Sequence, residues 1–229
     1  MHPLKNLNVW GDGGFIVTNK KLLAEKLYLI RNHGLKNRDN VEVFGFNSRL
    51  DTIQATVANY KMKNKLDNIT IKRIRNATLL DKHLSANENV TTVKRMKHLK
   101  EVFHLYHINV EKRDLLQKYL IKNNIDAKVH YPIPVHLQKA AKYLKYKKGD
   151  FPIAEKMANT SLSLPVHEFI DERHLKHMVN SINNFYKKYW RVPHRVSNHL
   201  KNARMSCRVI VCKCTTTYHT VPGYGTAAR

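Results

Sequence analysis

The sequence predicts an α/β protein. Apolar residues recur at helical spacing through the first third of the chain, as in Leu22, Leu23, Leu27 and Ile30. Past Ser85 the pattern changes to short, strand-like runs interleaved with helical stretches, the mark of a small α/β layer. A chain of 229 residues that is 42% hydrophobic is long enough to bury one good core or two small ones.

The elements follow in order. HPLKNLNVWGDGGFIVTN (2–19) runs through a Gly13-Gly14 turn into FIVTN, which reads as a short buried strand. KKLLAEKLYLIRNHG follows as a helix carrying the leucine stripe, with Gly34 as its C-cap. A polar loop, LKNRDNVEVFGF, leads to NSRLDTIQATVANYKMKN, where Ser48 and, three residues on, Asp51 form a capping-box variant at a helix entry. The next helix spans about Asn68 to Leu84 and carries Ile71, Ile74, Leu79 and Leu80. Then come a strand VTTVK, a strand FHLYHINV with period-two alternation, a helix EKRDLLQKYLIKNN and a strand IDAKVHY, which Pro132 and Pro134 end in a rigid corner. Two further helical stretches are IAEKMANTSLSL, before Pro165, and DERHLKHMVNSINNFYKKYW. From Arg191 onward no period persists and no acidic residue remains, so 191–229 is expected to be a disordered basic tail or an out-of-frame extension alien to the fold.

Composition narrows the class. No run approaches the ~20 uninterrupted apolar residues of a membrane span, and MHPLKNLN lacks the apolar core of a secretion signal, so a cytoplasmic protein without a membrane partner is expected. The three cysteines, Cys207, Cys212 and Cys214, all fall in the tail, so no disulfide framework supports the body of the chain. Cys212-Lys213-Cys214 is too closely spaced for the usual zinc pair, and no metal is expected. A formal charge of +24 raises nucleic acid or another polyanion as a partner, yet the lysines are spread over nearly every predicted helix, and no zinc-finger or RNA-recognition signature accompanies them. A cationic surface also attracts phosphorylated small molecules. The charge by itself does not choose between the two.

Lys5, between His-Pro and a glycine turn, has no acidic neighbour closer than Asp12. A lysine that works through a Schiff base needs a free amine near neutral pH, which desolvation or neighbouring positive charge can provide. Spacing alone leaves open that Lys5 is an ordinary solvated lysine, that Asn47 and Arg49 are helix-entry residues, and that His130 and Tyr131 are strand-end and core residues.

HPLKN, GDGGFIVTN, RNHG, GFNSRLDTIQA, HYPIPVHLQ and GDFPIAEKMANTSLSLP occur in the order and approximate spacing seen in the DegT/DnrJ/StrS sugar aminotransferases, fold-type I pyridoxal-phosphate enzymes, which the sequence resembles over about residues 1–189. The resemblance implies that Lys5 forms the Schiff base with pyridoxal 5'-phosphate and later shuttles a proton. It implies that Asn47 and Arg49 reach across a homodimer interface to the cofactor phosphate of the neighbouring subunit, with directed N–H donors suited to phosphate oxygens. It also implies that His130 and Tyr131 line the sugar pocket. His33 in RNHG is equally well explained as a cation at a helix C-terminus. The implied organisation is a C-terminal remnant of the cofactor-binding large domain over 1–84, the small C-terminal α/β domain over 85–190, and the tail over 191–229. The implied reaction is transamination of a nucleotide-linked keto-sugar, with glutamate as amino donor, in amino-sugar or surface-polysaccharide biosynthesis.

Relatives begin well before this lysine. The chain is therefore expected to be a truncated, impaired copy that binds the cofactor weakly or not at all by itself, or one that complements a separately encoded N-terminal half. The carboxylate for the pyridine nitrogen, the ring that stacks on the cofactor and the phosphate-binding helix terminus are expected to lie in that missing part. A non-catalytic basic protein binding nucleic acid or another polyanion is the alternative function.

Overall fold

The computed structural model describes residues 1–189. The expectations for 191–229, including those for Cys207, Cys212 and Cys214, lie outside the described residues.

A three-stranded antiparallel sheet organises the core: β1 (Val90–Thr92), β2 (Tyr106–Val110) and β3 (Ser161–Leu164), in the order β1-β2-β3. Val90 pairs with Val110, Tyr106 with Leu164, and His107 with Ser163. Along β2 the alternation predicted from the sequence holds, with Tyr106, Ile108 and Val110 buried. Strand β3 is buried at all four positions. Tyr106, Ile108 and Leu162 join Leu80, Leu84, Leu116, Leu120 and Ile182 in one core cluster.

Helices accompany this sheet: α1 (Lys21–Ile30), α2 (Thr52–Asn64), α3 (Leu66–Leu84), α4 (Arg113–Lys122), α5 (Pro152–Thr160) and α6 (Glu172–Tyr189), of which α3, α4 and α5 contact its strands. Helix α6 packs against α3 and α4. Its buried residues Leu175, Met178, Val179, Ile182, Phe185 and Tyr186 recur at intervals of three and four, the period that keeps one helical face on a core. Pro152 stands in the first turn of α5, where its missing N–H costs nothing. Short 3-10 turns, Val135–Leu137 and Lys139–Leu144, follow the proline corner.

The structure corrects the sequence reading at several places. FIVTN forms no strand. It has no ladder partner among the described residues, and a strand exists only through pairing; Phe15, Ile16 and Val17 are exposed rather than buried. The Leu22–Ile30 stripe forms its helix, yet no residue of α1 is buried. The second helix opens at Thr52, with Asp51 in the extended N-cap conformation and no side-chain cap bond, so the Ser48 capping box does not form. IDAKVHY contributes one isolated bridge, Lys128 to Ser163, instead of a strand. The third strand is SLSL, which the sequence reading had placed at the end of a helix. Helix α5 stops at Thr160 because the four residues that follow are all claimed by the sheet.

Candidate active site

Lys5 sits on a short turn that its own neighbours hold. Its N–H donates to the His2 carbonyl at 2.9 Å, and the Asn8 side chain donates to the Lys5 carbonyl at 3.0 Å. Val9, almost fully buried, anchors the end of this segment, and its N–H reaches the Met1 carbonyl at 3.2 Å. The chain's N-terminal ammonium bonds the Gly13 carbonyl, and the Lys61 ammonium bonds the Asn8 amide oxygen. The turn leaves the Lys5 side chain exposed on its far side.

The amine nonetheless has a partner. Lys5 Nζ lies 3.0 Å from His104 Nε2, across 99 positions of sequence, and the adjacent Asn6 side chain donates to the Val102 carbonyl at 2.6 Å. The HPLKN turn thus docks at two points on the segment entering β2. Between those points Phe103 takes a left-handed conformation, φ +47°, which a bulky side chain rarely adopts. Arg73 of α3 holds that turn by donating to the Phe103 carbonyl at 3.2 Å, and its guanidinium faces the Glu168 carboxylate at 3.0 Å. The latter is an ion pair without hydrogen-bond alignment, since Glu168 Oε2 is buried without a donor.

Beyond His104 lies a second polar chain. Ser163 is almost fully buried, and its Oγ lies 2.8 Å from His130 Nδ1 and 3.0 Å from His107 Nδ1. The backbone of Ser163 pairs in both directions with Lys128, at 3.0 and 2.7 Å, which brings the HYP corner onto β3. Tyr131, largely exposed, stands edge-on to the His130 ring at 5.5 Å between centroids. Burial lowers the proton affinity of His104, and Lys5, Arg73, His130 and His107 lower it further through their charges. His107 is lowered as well, by burial first and then by His130. Of these rings, His104 is the one in contact with the lysine. Among the described residues no trio of His, Cys, Asp or Glu is arranged to hold a metal.

Asn47 and Arg49 occupy a different place. They bond each other, Arg49 Nε donating to Asn47 Oδ1 at 3.0 Å, and both are exposed. Their loop is knitted to the end of α1: His33 N–H to the Phe46 carbonyl at 3.0 Å, Phe46 N–H to Ile30 at 2.7 Å, and Ser48 N–H to Arg31 at 2.9 Å. Two glycines make this crossing possible. Gly34, at φ +74°, donates its N–H to the Leu29 carbonyl at 2.8 Å, and a Cβ on it would stand 1.6 Å from the Val43 carbonyl oxygen. A Cβ on Gly45 would meet the Gly34 nitrogen at 2.5 Å and the Ile30 oxygen at 2.6 Å. The motifs RNHG and GFNSR, separated by the loop 35–44, are therefore one structural unit. His33 serves in it through its backbone, at φ +60°.

The structure thus brings Lys5 to His104, His130 to Ser163, and Asn47 to Arg49, with no hydrogen bond joining the Asn47–Arg49 pair to the others among the described residues. Sequence reasoning missed His104, Arg73 and Ser163. The doubled histidine in FHLYHINV was the available signal for the first. Ser163 was hidden by the helical reading of SLSL, and nothing in the period of α3 distinguishes Arg73 from a solvated arginine.

Comparison with known proteins gives a family model, described as the DegT/DnrJ/EryC1/StrS aminotransferase family, that matches residues 1–183. The chain is 40% identical over 189 residues to a pleiotropic regulatory protein of Geobacillus stearothermophilus, covering 82% of this chain and 50% of the relative. It is 32% identical to a dTDP-3-amino-3,4,6-trideoxy-alpha-D-glucose transaminase of Streptomyces venezuelae, covering 82% of this chain and 49% of that one. Among solved structures it is similar to Streptomyces venezuelae DesV in complex with a ketimine intermediate, with a TM-score of 0.78 and 32% identity over 83% of this chain and 50% of the other. The chain spans about half the length of the curated relatives it matches.

Proposed function

The chain belongs to the DegT/DnrJ/EryC1/StrS aminotransferase family, and on that premise we propose that it serves in pyridoxal-phosphate-dependent transfer of an amino group to a keto-sugar carried by a nucleotide. One relative is named a dTDP-3-amino-3,4,6-trideoxy-alpha-D-glucose transaminase, which supports that substrate class. In this reading glutamate is the amino donor, and the active assembly is a homodimer. On the same reading, residues 1–84 are the remnant of the cofactor-binding large domain and 85–190 the small C-terminal α/β domain.

One observation carries the assignment to Lys5. The buried polar atoms that lack a hydrogen-bond partner among the described residues are Asn6 Oδ1, His104 Nδ1, Arg73 Nε and Glu168 Oε2, and all lie on residues linked to Lys5 by the contacts above. Such orphans are rare in a folded chain, and their grouping behind Lys5 supports a functional role for this turn. The exposed primary amine of Lys5 is the group present that fits the aldehyde end of the cofactor. When bound, pyridoxal phosphate supplies a carbonyl that accepts amines and a ring that withdraws electrons from the neighbouring carbon.

The chain's own residues do the rest. Lys5 offers an amine on a rigid turn and is placed to move a proton at its Nζ. His130, held at Nδ1 by Ser163, presents its outer ring edge to the sugar beside the Tyr131 phenol. Arg49 and the Asn47 amide offer exposed donors to the cofactor phosphate of a partner copy. The apolar residues left exposed in this part of the chain, such as Trp10, Ile16 and Phe44, together with the half-length match, support weak cofactor retention by this chain alone.

Borohydride reduction of the purified chain in excess pyridoxal phosphate, followed by peptide mapping, tests the reading. The adduct is expected to concentrate on Lys5. Labelling of Lys5 no stronger than that of Lys20 and Lys21, on the exposed entry to α1, would remove the assignment.

A further inference from the structure

Nothing in the family match assigns a role to His104, which the structure places closer to the Lys5 amine than any other polar side chain it describes. We propose that His104 is the positioning partner of Lys5: its Nε2 takes the lysine nitrogen at 3.0 Å and thereby fixes where that amine meets an incoming carbonyl carbon. The proposal deepens the reading of Lys5 above and rests on it.

Three observations converge. The first is geometric necessity: Lys5 is an exposed side chain with several rotatable bonds, and an unanchored lysine spreads its nitrogen over many rotamers, which costs rate whenever a reaction needs one orientation. His104 is the group that ends this freedom. The second is the backbone behind His104. Phe103 is held at φ +47°, a strained conformation for a residue with a Cβ. The buried Arg73 pins its carbonyl and Asn6 pins the carbonyl of Val102, so the strained turn is fixed from both sides, and its effect is to aim the next side chain at Lys5. The third is that only one ring nitrogen is available. His104 Nδ1 is buried with no partner, which leaves Nε2 as the working edge. An amine that keeps its lone pair for a carbonyl carbon binds its neighbour through an N–H, so the Nε2 that receives it is the bare nitrogen and the buried Nδ1 carries the ring proton.

The surroundings keep the imidazole in the form that this contact requires. Lys5, Arg73, His130 and His107 are the charged and titratable groups that face it, all of them cationic when protonated, and Glu168 is engaged with Arg73. Together with burial they oppose protonation of His104, so near neutral pH its lone pair is free to receive the lysine. On acidification the ring gains a proton, becomes a second cation 3.0 Å from the amine, and the contact is lost.

Two measurements test this, one without cofactor. The His104 ring nitrogens are followed by NMR across pH in the unmodified chain and in Lys5→Met. Removal of the neighbouring cation is expected to move the His104 midpoint upward and to shift its Nε2 resonance; an unchanged titration would overturn the proposal. In the second, borohydride trapping of pyridoxal phosphate is mapped in His104→Phe and His104→Gln. Loss of one hydrogen bond to a charged partner is expected to lower labelling of Lys5 about tenfold in His104→Phe. His104→Gln, which retains an acceptor, is expected to recover part of it. Equal labelling in all forms would refute the positioning role. If Lys5 is not labelled in preference to Lys20 while its removal still moves the His104 midpoint, the contact stands and the assigned chemistry falls, so the two failures are distinct.

Discussion

The crossing of Gly34 and Gly45 makes a sharp prediction about the loop that carries Asn47 and Arg49. In Gly45→Ala the new methyl would stand 2.5 Å from the Gly34 nitrogen, 2.6 Å from the Ile30 oxygen and 2.9 Å from the His33 carbonyl carbon, every one a backbone atom. No flexible side chain is available to yield, so the GFNSR loop must lift away from the end of α1. The hydrogen bonds at stake are those donated by the amides of His33, Phe46 and Ser48. At a net worth of about 1 kcal/mol each, the local loss is about 3 kcal/mol, or about a hundredfold in the opening equilibrium. Hydrogen exchange reads this directly: protection of the Phe46 and Ser48 amides should fall by about that factor. Amides of Ile108 and Leu162 should hold their protection, because the core cluster draws on no residue before Ile74. Undiminished protection at Phe46 in the alanine variant would refute the backbone argument. A uniform fall in the core would show that the loop and the core unfold together.

Other expectations concern the histidines. Ser163→Ala removes the hydroxyl that bridges His107 and His130 and leaves two ring nitrogens without their partner, at an expected cost of about 1–3 kcal/mol in denaturant unfolding; unaltered stability, or a His130 ring signal identical to that of the unmodified chain, would argue against the bridge. Stability should also decline on mild acidification. Burial lowers the proton affinity of His104, His107 and His167 in the folded chain, while their unfolded pKa is about 6.5, so below that value the unfolded state binds more protons and stability falls with falling pH. The contribution is complete above about pH 6.5 and is lost as pH drops through the folded values. Asp171, held at about 2 by the His174 amide and Arg173, acts only in the more acidic range of carboxylates. A denaturation midpoint identical at about pH 7 and about pH 5.5 would contradict this account.

What the sequence revealed and what it hid follow one physical line. The helices that bury a face were legible, because burial is what writes a period of three and four into α3, α4 and α6. Strand β2 was legible for the same reason at period two. Strand β3 was not: all four of its positions are buried, so SLSL lacks the polar-out alternation that distinguishes a half-exposed strand, and its alanine- and methionine-containing prefix reads as helix. FIVTN misled in the opposite direction, for its composition is that of a strand while pairing depends on a neighbour that sequence cannot supply. At the site, Lys5 and His130 were reached through motifs. His104 required knowing that position 103 takes a left-handed turn, a fact carried by tertiary contacts of Arg73 and Asn6 rather than by any local signal.

Helix α3 explains why a core element carries so much polarity. Its buried stripe changes character along its length: Ala77, Leu80 and Leu84 enter the apolar cluster, whereas Arg73 and Asn76, one turn earlier, are equally buried and hydrogen-bonded to loop backbone. Asn76 donates to the carbonyls of His167 and Ile170, at 3.0 and 3.3 Å, and Arg73 donates to that of Phe103. Where the stripe faces strands, whose backbone groups satisfy one another, apolar side chains suffice. Where it faces the loops ending in His104 and Ile170, the loop carbonyls need donors, and only side chains can provide them. A buried guanidinium with one nitrogen unpartnered is a costly way to supply such a donor when a neutral amide serves three residues later. The difference is charge. An amide at this position would carry no charge to oppose a proton on His104, so the arginine both holds the turn and adds to the effect of burial and of Lys5 on the imidazole that the turn presents to Lys5.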